Sequence, residues 1–201
     1  MLTTRNTFDR TKFNPAATLP YNLRLSDFEQ AMQDIYDFFY DVNTLLSSKG
    51  LRRFDDMMRP ANMSGMISDM ATATLARMSR SLVENRHFNG HPDLLKRGHY
   101  ANDSVASGSE GIEIKSTVKA GGAVDTHGAR DQWMCVFVYE IDSTTEPAAQ
   151  RRPMKFTEIY LAYVEEVDFR SNGRGALGTR TATLHKEGLK KLRANWIYKD
   201  L

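Results

Sequence analysis

The sequence predicts an α/β chain, a mixed central β-sheet flanked by helices with a helical segment at the N-terminal end, on three observations. Apolar residues recur at spacings of four and three over 26–50, the helical period. Alternating or continuous apolar segments then follow over 111–117, 133–141 and 156–167, with turn residues between them. A basic helical pattern over 184–193 precedes a short aromatic strand at 196–198.

In order, 1–21 contains Pro15 and Pro20 and no sustained period, and reads as an irregular arm. The segment 22–84 is mainly helical. Ser26 and Glu29 form a Ser-x-x-Glu capping box, after which Phe28, Met32, Ile35, Phe39, Val42 and Leu46 make one apolar stripe. Packing on its own domain is the expected use of this stripe, although its heptad spacing also suits a helical dimer seam. A second helix, capped by Ser64, carries Ile67, Ala71, Leu75, Met78 and Leu82 on one face and is expected to end at Glu84. The sheet and the C-terminal helix occupy 91–201, so the whole of 1–201 is read as one domain. The length, 41% apolar residues and 26% charged residues suit a single core.

Composition narrows the chemistry. A net charge of +2 permits nucleic acid without arguing for it, so any binding surface must come from local clustering. The single cysteine, Cys135, excludes an internal disulfide and a multi-cysteine zinc site, and within Trp-Met-Cys-Val-Phe-Val-Tyr it reads as a buried hydrophobe. No signal-like or membrane-spanning apolar run is present, so a soluble, cytoplasmic protein without membrane partners is expected.

The informative stretch runs from His91 to Thr117. Asp93 opens the short apolar segment Asp-Leu-Leu; Glu113 and Lys115 lie two apart in Gly-Ile-Glu-Ile-Lys-Ser-Thr. On a strand, Glu113 and Lys115 share one face while Ile112 and Ile114 take the other. A carboxylate mounted on a buried strand is costly unless a partner or a metal meets it. The plain alternative is a turn aspartate and a surface ion pair on an edge strand.

Pro92-Asp93, a gap of about twenty residues, then Glu113-x-Lys115 resembles the PD-(D/E)xK nuclease superfamily, which includes many restriction endonucleases. The resemblance implies a restriction endonuclease-like core, from which this chain departs by an additional strand at 156–167. It implies a Mg²⁺-dependent DNA endonuclease, of type II restriction character, with Asp93, Glu113 and the Ile114 carbonyl holding one or two ions and Lys115 assisting the attacking water. It also implies an acidic residue on the helix before the first core strand, and Glu84 is the residue that fits. Double-stranded DNA is the expected partner and a homodimer the expected assembly. Lys119, His127 and Arg130 in one glycine-containing loop, and Arg174 and Arg180 in another, are the candidate DNA contacts, with the basic face of the last helix beside them.

Other readings compete. A repair, recombination or phage-encoded nuclease would use the same residues on different DNA. A noncatalytic DNA-binding or assembly protein would retain DNA without cutting it, and a dimer built on the first helix would not bind it. His87, His91 and His99, with Asn89 and Asn102 between them, suggest an HNH-type nuclease, but their spacing supplies no ββα-metal unit and they read instead as loop residues facing solvent or DNA.

Overall fold

The computed structural model describes residues 4–147, 150–172 and 181–200. The chain folds as α1 (Leu25–Ser48), α2 (Phe54–Met57), α3 (Pro60–Met78), β1 (Leu82–Glu84), β2 (Leu94–Lys96), β3 (Gly111–Thr117), β4 (Asp125–Thr126), β5 (Gln132–Glu140), β6 (Lys155–Val164), β7 (Phe169–Asn172), β8 (Thr181–Leu184), α4 (Lys186–Ala194) and β9 (Trp196–Lys199). This is the mixed α/β architecture that the alternating periods predict.

A six-stranded sheet in the order β1-β2-β3-β5-β6-β9 divides the molecule. Only β3 and β5 run parallel; the other neighbours are antiparallel. On one face lie α1 and α3, where Phe28, Met32, Ile35 and Phe39 meet Ile67, Leu75, Ile112, Ile114 and Phe137. On the other, Met134, Val136 and Val138 pack against α4 and a three-stranded sheet, β4-β8-β7, through Leu192, Ala182 and Leu184. The centre of β5 is therefore covered on both faces, as its unbroken apolar run requires. Cys135 is buried in the first core, and that burial raises its thiol pKa, which keeps it inert.

Several boundaries differ from the sequence reading, each for a local reason. The box that starts α1 opens at Arg24 and not at Ser26: the Asp27 carboxylate accepts from the Arg24 N–H at 2.8 Å and pairs with the Arg24 guanidinium. The stripe of α1 packs within its own chain. Pro60, not Ser64, opens α3, because proline at the first helical position gives up an N–H that has no intrahelical partner anyway. Ser64 instead sits inside that helix, where its hydroxyl meets Tyr139 Oη at 2.9 Å and its carbonyl accepts from Ser116 Oγ at 2.7 Å.

The helix stops at Met78 because Ser79 Oγ accepts from the N–H groups of Ser81 and Leu82, turning the chain into β1. Leu82 and Glu84 are thus strand residues, not the end of a helix. Likewise Thr183 and Leu184 belong to β8, and α4 is capped by His185, whose Nδ1 accepts from the Glu187 and Gly188 N–H groups. The arm forms only one 3-10 turn, Arg10–Lys12, yet it is tied down, with Phe13 buried against Tyr198 and Asn14 N–H bonded to the Ile197 carbonyl at 3.0 Å.

What positions the site is the short pairing of β2 with β3. It comprises Leu94 with Ile112 and Leu95 with Gly111, and beyond that point the strands part. Gly111 permits the approach, since a Cβ there would stand 1.9 Å from the Leu94 carbonyl oxygen and 2.6 Å from Pro92 Cγ. Gly111→Ala is therefore expected to cost about 1–3 kcal/mol, the usual penalty for overpacking, read as a lower urea midpoint. An unchanged midpoint would show that this junction tolerates spreading.

Candidate functional site

Where β2 leaves β3, the backbone of Ile114 faces an open edge. The N–H and C=O of one strand residue point to the same side, and Ile114 lies in phase with Ile112, which pairs with β2. The orphaned N–H is met by a side chain: Asp93 Oδ2 accepts from it at 2.7 Å. The Ile114 carbonyl is aimed into the same gap. Alternation then sends Ile112 and Ile114 into the α1–α3 core and Glu113 and Lys115 to the opposite face.

Glu113 is buried, 7% exposed. Its Oε1 pairs with Lys115 Nζ at 2.5 Å, and its Oε2 lies 2.7 Å from His91 Nδ1. The second approach is short but poorly directed, and Oε2 retains an unfilled acceptor valence. Among the described residues, three buried side-chain polar atoms lack a hydrogen-bond partner: Glu113 Oε2, His91 Nε2 and Gln132 Oε1. All three residues line one cavity of about 540 Å³, together with Asp93 and Lys115. The three residues thus bring polar atoms without a well-directed hydrogen-bond partner to the wall of one cavity.

The charges are arranged unequally. Burial, and then the Glu113 charge, push the Asp93 carboxyl up to about 7. For Glu113, burial acts upward most strongly, but His91 and Lys115 together hold it well below the usual carboxylate range. Burial favours the neutral Lys115 amine; Glu113 and Asp93 outweigh it and raise its pKa. The resting site is thus a firm Glu113–Lys115 ion pair beside an aspartate that gains from any further cation.

Two loops wall the cavity. On one side, Thr126 to Arg130 form a tight turn, with Gly128 at φ +93°, its N–H bonded to the Thr126 carbonyl, and Arg130 Nη2 donating to the His127 carbonyl at 2.7 Å. On the other, His91 is bridged to Ser107 by backbone hydrogen bonds to Ala106 and Gly108. A second depression of about 730 Å³ continues past Asp93 and Lys115 along α3, lined by Ser64, Ser68, Asp69 and Lys119.

Asp93, Glu113, Lys115 and the Ile114 carbonyl therefore stand together, and His127 and Arg130 line the same space. Lys119 is exposed on the adjoining depression. Glu84 does not join them. It is an exposed strand residue on a separate hollow with Arg77 and Arg86, because the helix that was expected to deliver it has already ended. The acidic residue on the preceding helix is instead Asp69 of α3, whose charge reaches Asp93 and adds to its raised pKa. Arg174 and Arg180 lie outside the described residues. The basic face of α4 is partly spent internally: Lys191 pairs with Glu165 and Asp168, and Arg193 Nε donates to the Gly121 carbonyl.

Sequence reasoning set His91 aside with the other loop histidines. Its position one residue before the Pro-Asp was the available signal. Among the described residues no three His, Cys, Asp or Glu side chains close on one point. The donor set is two carboxylates and one carbonyl, hard oxygens that suit a Mg²⁺ retaining several waters rather than an all-protein cage. The chemistry of this donor set, gathered beside one cavity, is the observation of fit.

The raised Asp93 pKa has a stability consequence with a definite sign. An acid that binds its proton more tightly when folded contributes stability below its ordinary pKa and loses it as pH rises through the folded value. Glu113, shifted downward, loses its contribution only in strong acid. Between pH 6 and 8 the metal-free chain is expected to lose roughly 1–2 kcal/mol through Asp93, and Asp93→Asn to flatten that slope in urea titrations; equal slopes for both would refute the assignment. No protein-family model, curated protein or solved structure matches this chain, so its own geometry carries the functional reading.

Proposed function

We propose that this protein is a Mg²⁺-dependent DNA endonuclease of the PD-(D/E)xK type, with a restriction endonuclease-like core, hydrolysing phosphodiester bonds in double-stranded DNA. The observation that carries the reading is the meeting of Asp93, Glu113, the Ile114 carbonyl and Lys115 at the parting of β2 and β3, beside one cavity. Asp93 and Glu113 would hold the ion, and the Ile114 carbonyl would complete the protein's share of its ligands. Bound there, Mg²⁺ supplies charge neutralisation at the phosphate and a more acidic water.

The rest falls to the chain. Lys115, kept protonated by the two carboxylates, offers its ammonium to the attacking water and to the charge that grows on the phosphorus oxygens. Lys115 shares Glu113 with the place where the ion would be held, so its ammonium would be left for the substrate once that carboxylate served as a ligand. His91 flanks Glu113 from the other side and would help keep the carboxylate oriented. Arg130 and His127 present positive or donor groups on the opposite wall, placed for the flanking phosphates.

Each chain carries one such site, so a restriction-type cut through both strands takes two copies related by a twofold axis. A noncatalytic DNA-binding role is disfavoured by the cost of the cluster. A largely buried Glu-x-Lys pair beside a second, half-buried carboxylate is a liability in a protein that only binds.

The direct test is incubation with mixed plasmid and phage DNA in Mg²⁺ or EDTA. Discrete fragments support a restriction enzyme, while preferential cutting of branched substrates moves the same chemistry to repair or a phage role. Asp93→Ala and Lys115→Ala are each expected to lower the cutting rate at least ~10³-fold, equivalent to about 4 kcal/mol of transition-state stabilisation, with DNA retention kept. Normal nicking by either variant would dismiss the site. Asp69→Asn is expected to slow cutting about tenfold and to lower the Mg²⁺ requirement's pH midpoint, whereas Glu84→Gln leaves both unchanged; the reverse pattern would restore Glu84 to the role that its place in the sequence suggested.

A further inference from the structure

Of the ten phenylalanines in the chain, nine are buried or half-buried, and Phe88 is 87% exposed. Leaving a phenyl ring in water forgoes the most favourable term that a side chain of its kind can contribute. An isolated exposed apolar residue is ordinary on a loose loop. This loop is not loose.

Asn85 anchors it with four hydrogen bonds. Its Nδ2 donates to the carbonyls of Pro92 and Val105, and its Oδ1 accepts from the N–H groups of His87 and Val105. The Gly90 N–H bonds back to the His87 carbonyl, and the His87 ring nitrogen Nδ1 lies 2.9 Å from the Phe88 carbonyl oxygen. Asn89 takes the left-handed conformation that turns the tip, and a Cβ on Gly90 would stand 2.5 Å from both Asn85 Nδ2 and the Val105 carbonyl oxygen. The backbone is tied on both sides of Phe88 while the residue itself is exposed.

The next three residues, Asn89, Gly90 and His91, are cavity wall. With consecutive Cα atoms ~3.8 Å apart, the Phe88 backbone directly adjoins the wall of the space that holds Asp93, Glu113 and Lys115. Val167, also strongly exposed at 77%, has no such neighbour.

We propose that Phe88 is a positioning residue on which one nucleobase of the bound DNA strand stacks, next to the phosphate that lies over Asp93, Glu113 and Lys115. This rests on the phosphodiesterase reading above. A rigid aromatic face exposed beside a phosphate-handling site matches the two surfaces that a nucleotide presents, an anionic edge and a flat apolar ring. Bases inside a duplex already stack on their neighbours, so the base that meets Phe88 is drawn out of the helix. Unstacking costs least at a mismatch or in a single strand. The substrate class that follows is DNA with a base unstacked beside the scissile bond, drawn out by the protein itself in an intact duplex.

The test uses the full chain in EDTA with mixed-sequence oligonucleotides containing 2-aminopurine, single-stranded and duplex, followed by plasmid cutting in Mg²⁺. Wild type is expected to change the 2-aminopurine emission on binding. Phe88→Ala should abolish that change and weaken binding roughly 5- to 100-fold, equivalent to about 1–3 kcal/mol, Phe88→Trp should restore it, and Phe88→Leu should not. In cutting, Phe88→Ala should raise KM with kcat held, and mismatched DNA should narrow the gap to wild type. Its urea midpoint should stay at the wild-type value, because the ring packs on nothing.

If wild type cuts DNA and Phe88→Ala matches it in emission, affinity and KM, the stacking role is overturned while the nuclease reading stands. If wild type does not cut but shows Phe88-dependent emission changes, the nuclease reading fails and the stacking surface survives. A variant altered only in self-association or in binding another protein would overturn the proposal in favour of a protein contact.

Discussion

The bond from the Ile114 N–H to the Asp93 carboxylate is the constraint on which the site depends. A strand that loses its neighbour leaves backbone groups to be satisfied, and here one is satisfied by a side chain from the departing strand's own lead-in. The bond does two jobs at once. It closes the ladder where β2 ends, and it fixes Asp93 beside a strand whose next residues alternate Glu113 and Lys115 onto the cavity face. Continued in the same register, β2 would set Pro92 opposite Ile114, and a proline has no N–H to offer the Ile114 carbonyl, so that carbonyl stays open on either side of the parting.

The same parting explains why the charges can persist. Glu113 is nearly covered, and a lone carboxylate in that position would take up a proton rather than stay ionised. Lys115 and His91 flank it from opposite sides and keep it charged. Asp93, with one oxygen occupied by a backbone donor and the other turned to the gap, absorbs the leftover repulsion as a raised pKa. Two neighbouring carboxylates of opposite shift are the electrostatic form that burial and an uneven share of cationic partners give to a charged pair.

Much of this was legible in the residues, and the reason is periodicity. A period of two placed Glu113 and Lys115 on one face without any knowledge of their neighbours, and the unbroken apolar run of β5 announced a strand covered on both sides. What escaped depended on phase between elements. A three-residue strand such as β1 carries too little pattern to separate it from the end of a helix, so Glu84 was given a helical address that the Ser79 turn denies it. Asp69 lies in mid-helix with nothing local to set it apart; only the packing of α3 on β3 turns it to the cleft. The small sheet β4-β8-β7 was equally invisible, since strands of two to four residues rich in threonine read as loop.

That packing of α3 on β3 joins the two classes of information. Ser64 spends its hydroxyl on Tyr139 of β5 and its carbonyl on Ser116 of β3, so a single helical residue pins α3 to the two parallel strands at once. Ser116 is in phase with Ile112 and Ile114, and its bond to the helix fixes the rotation of β3 about its own axis. Rotation of β3 is what decides how far Glu113 and Lys115 lean into the cavity. A polar contact made wholly on the helical face of the sheet therefore sets the aim of charged groups on the other, and the helices belong to the mechanics of the site.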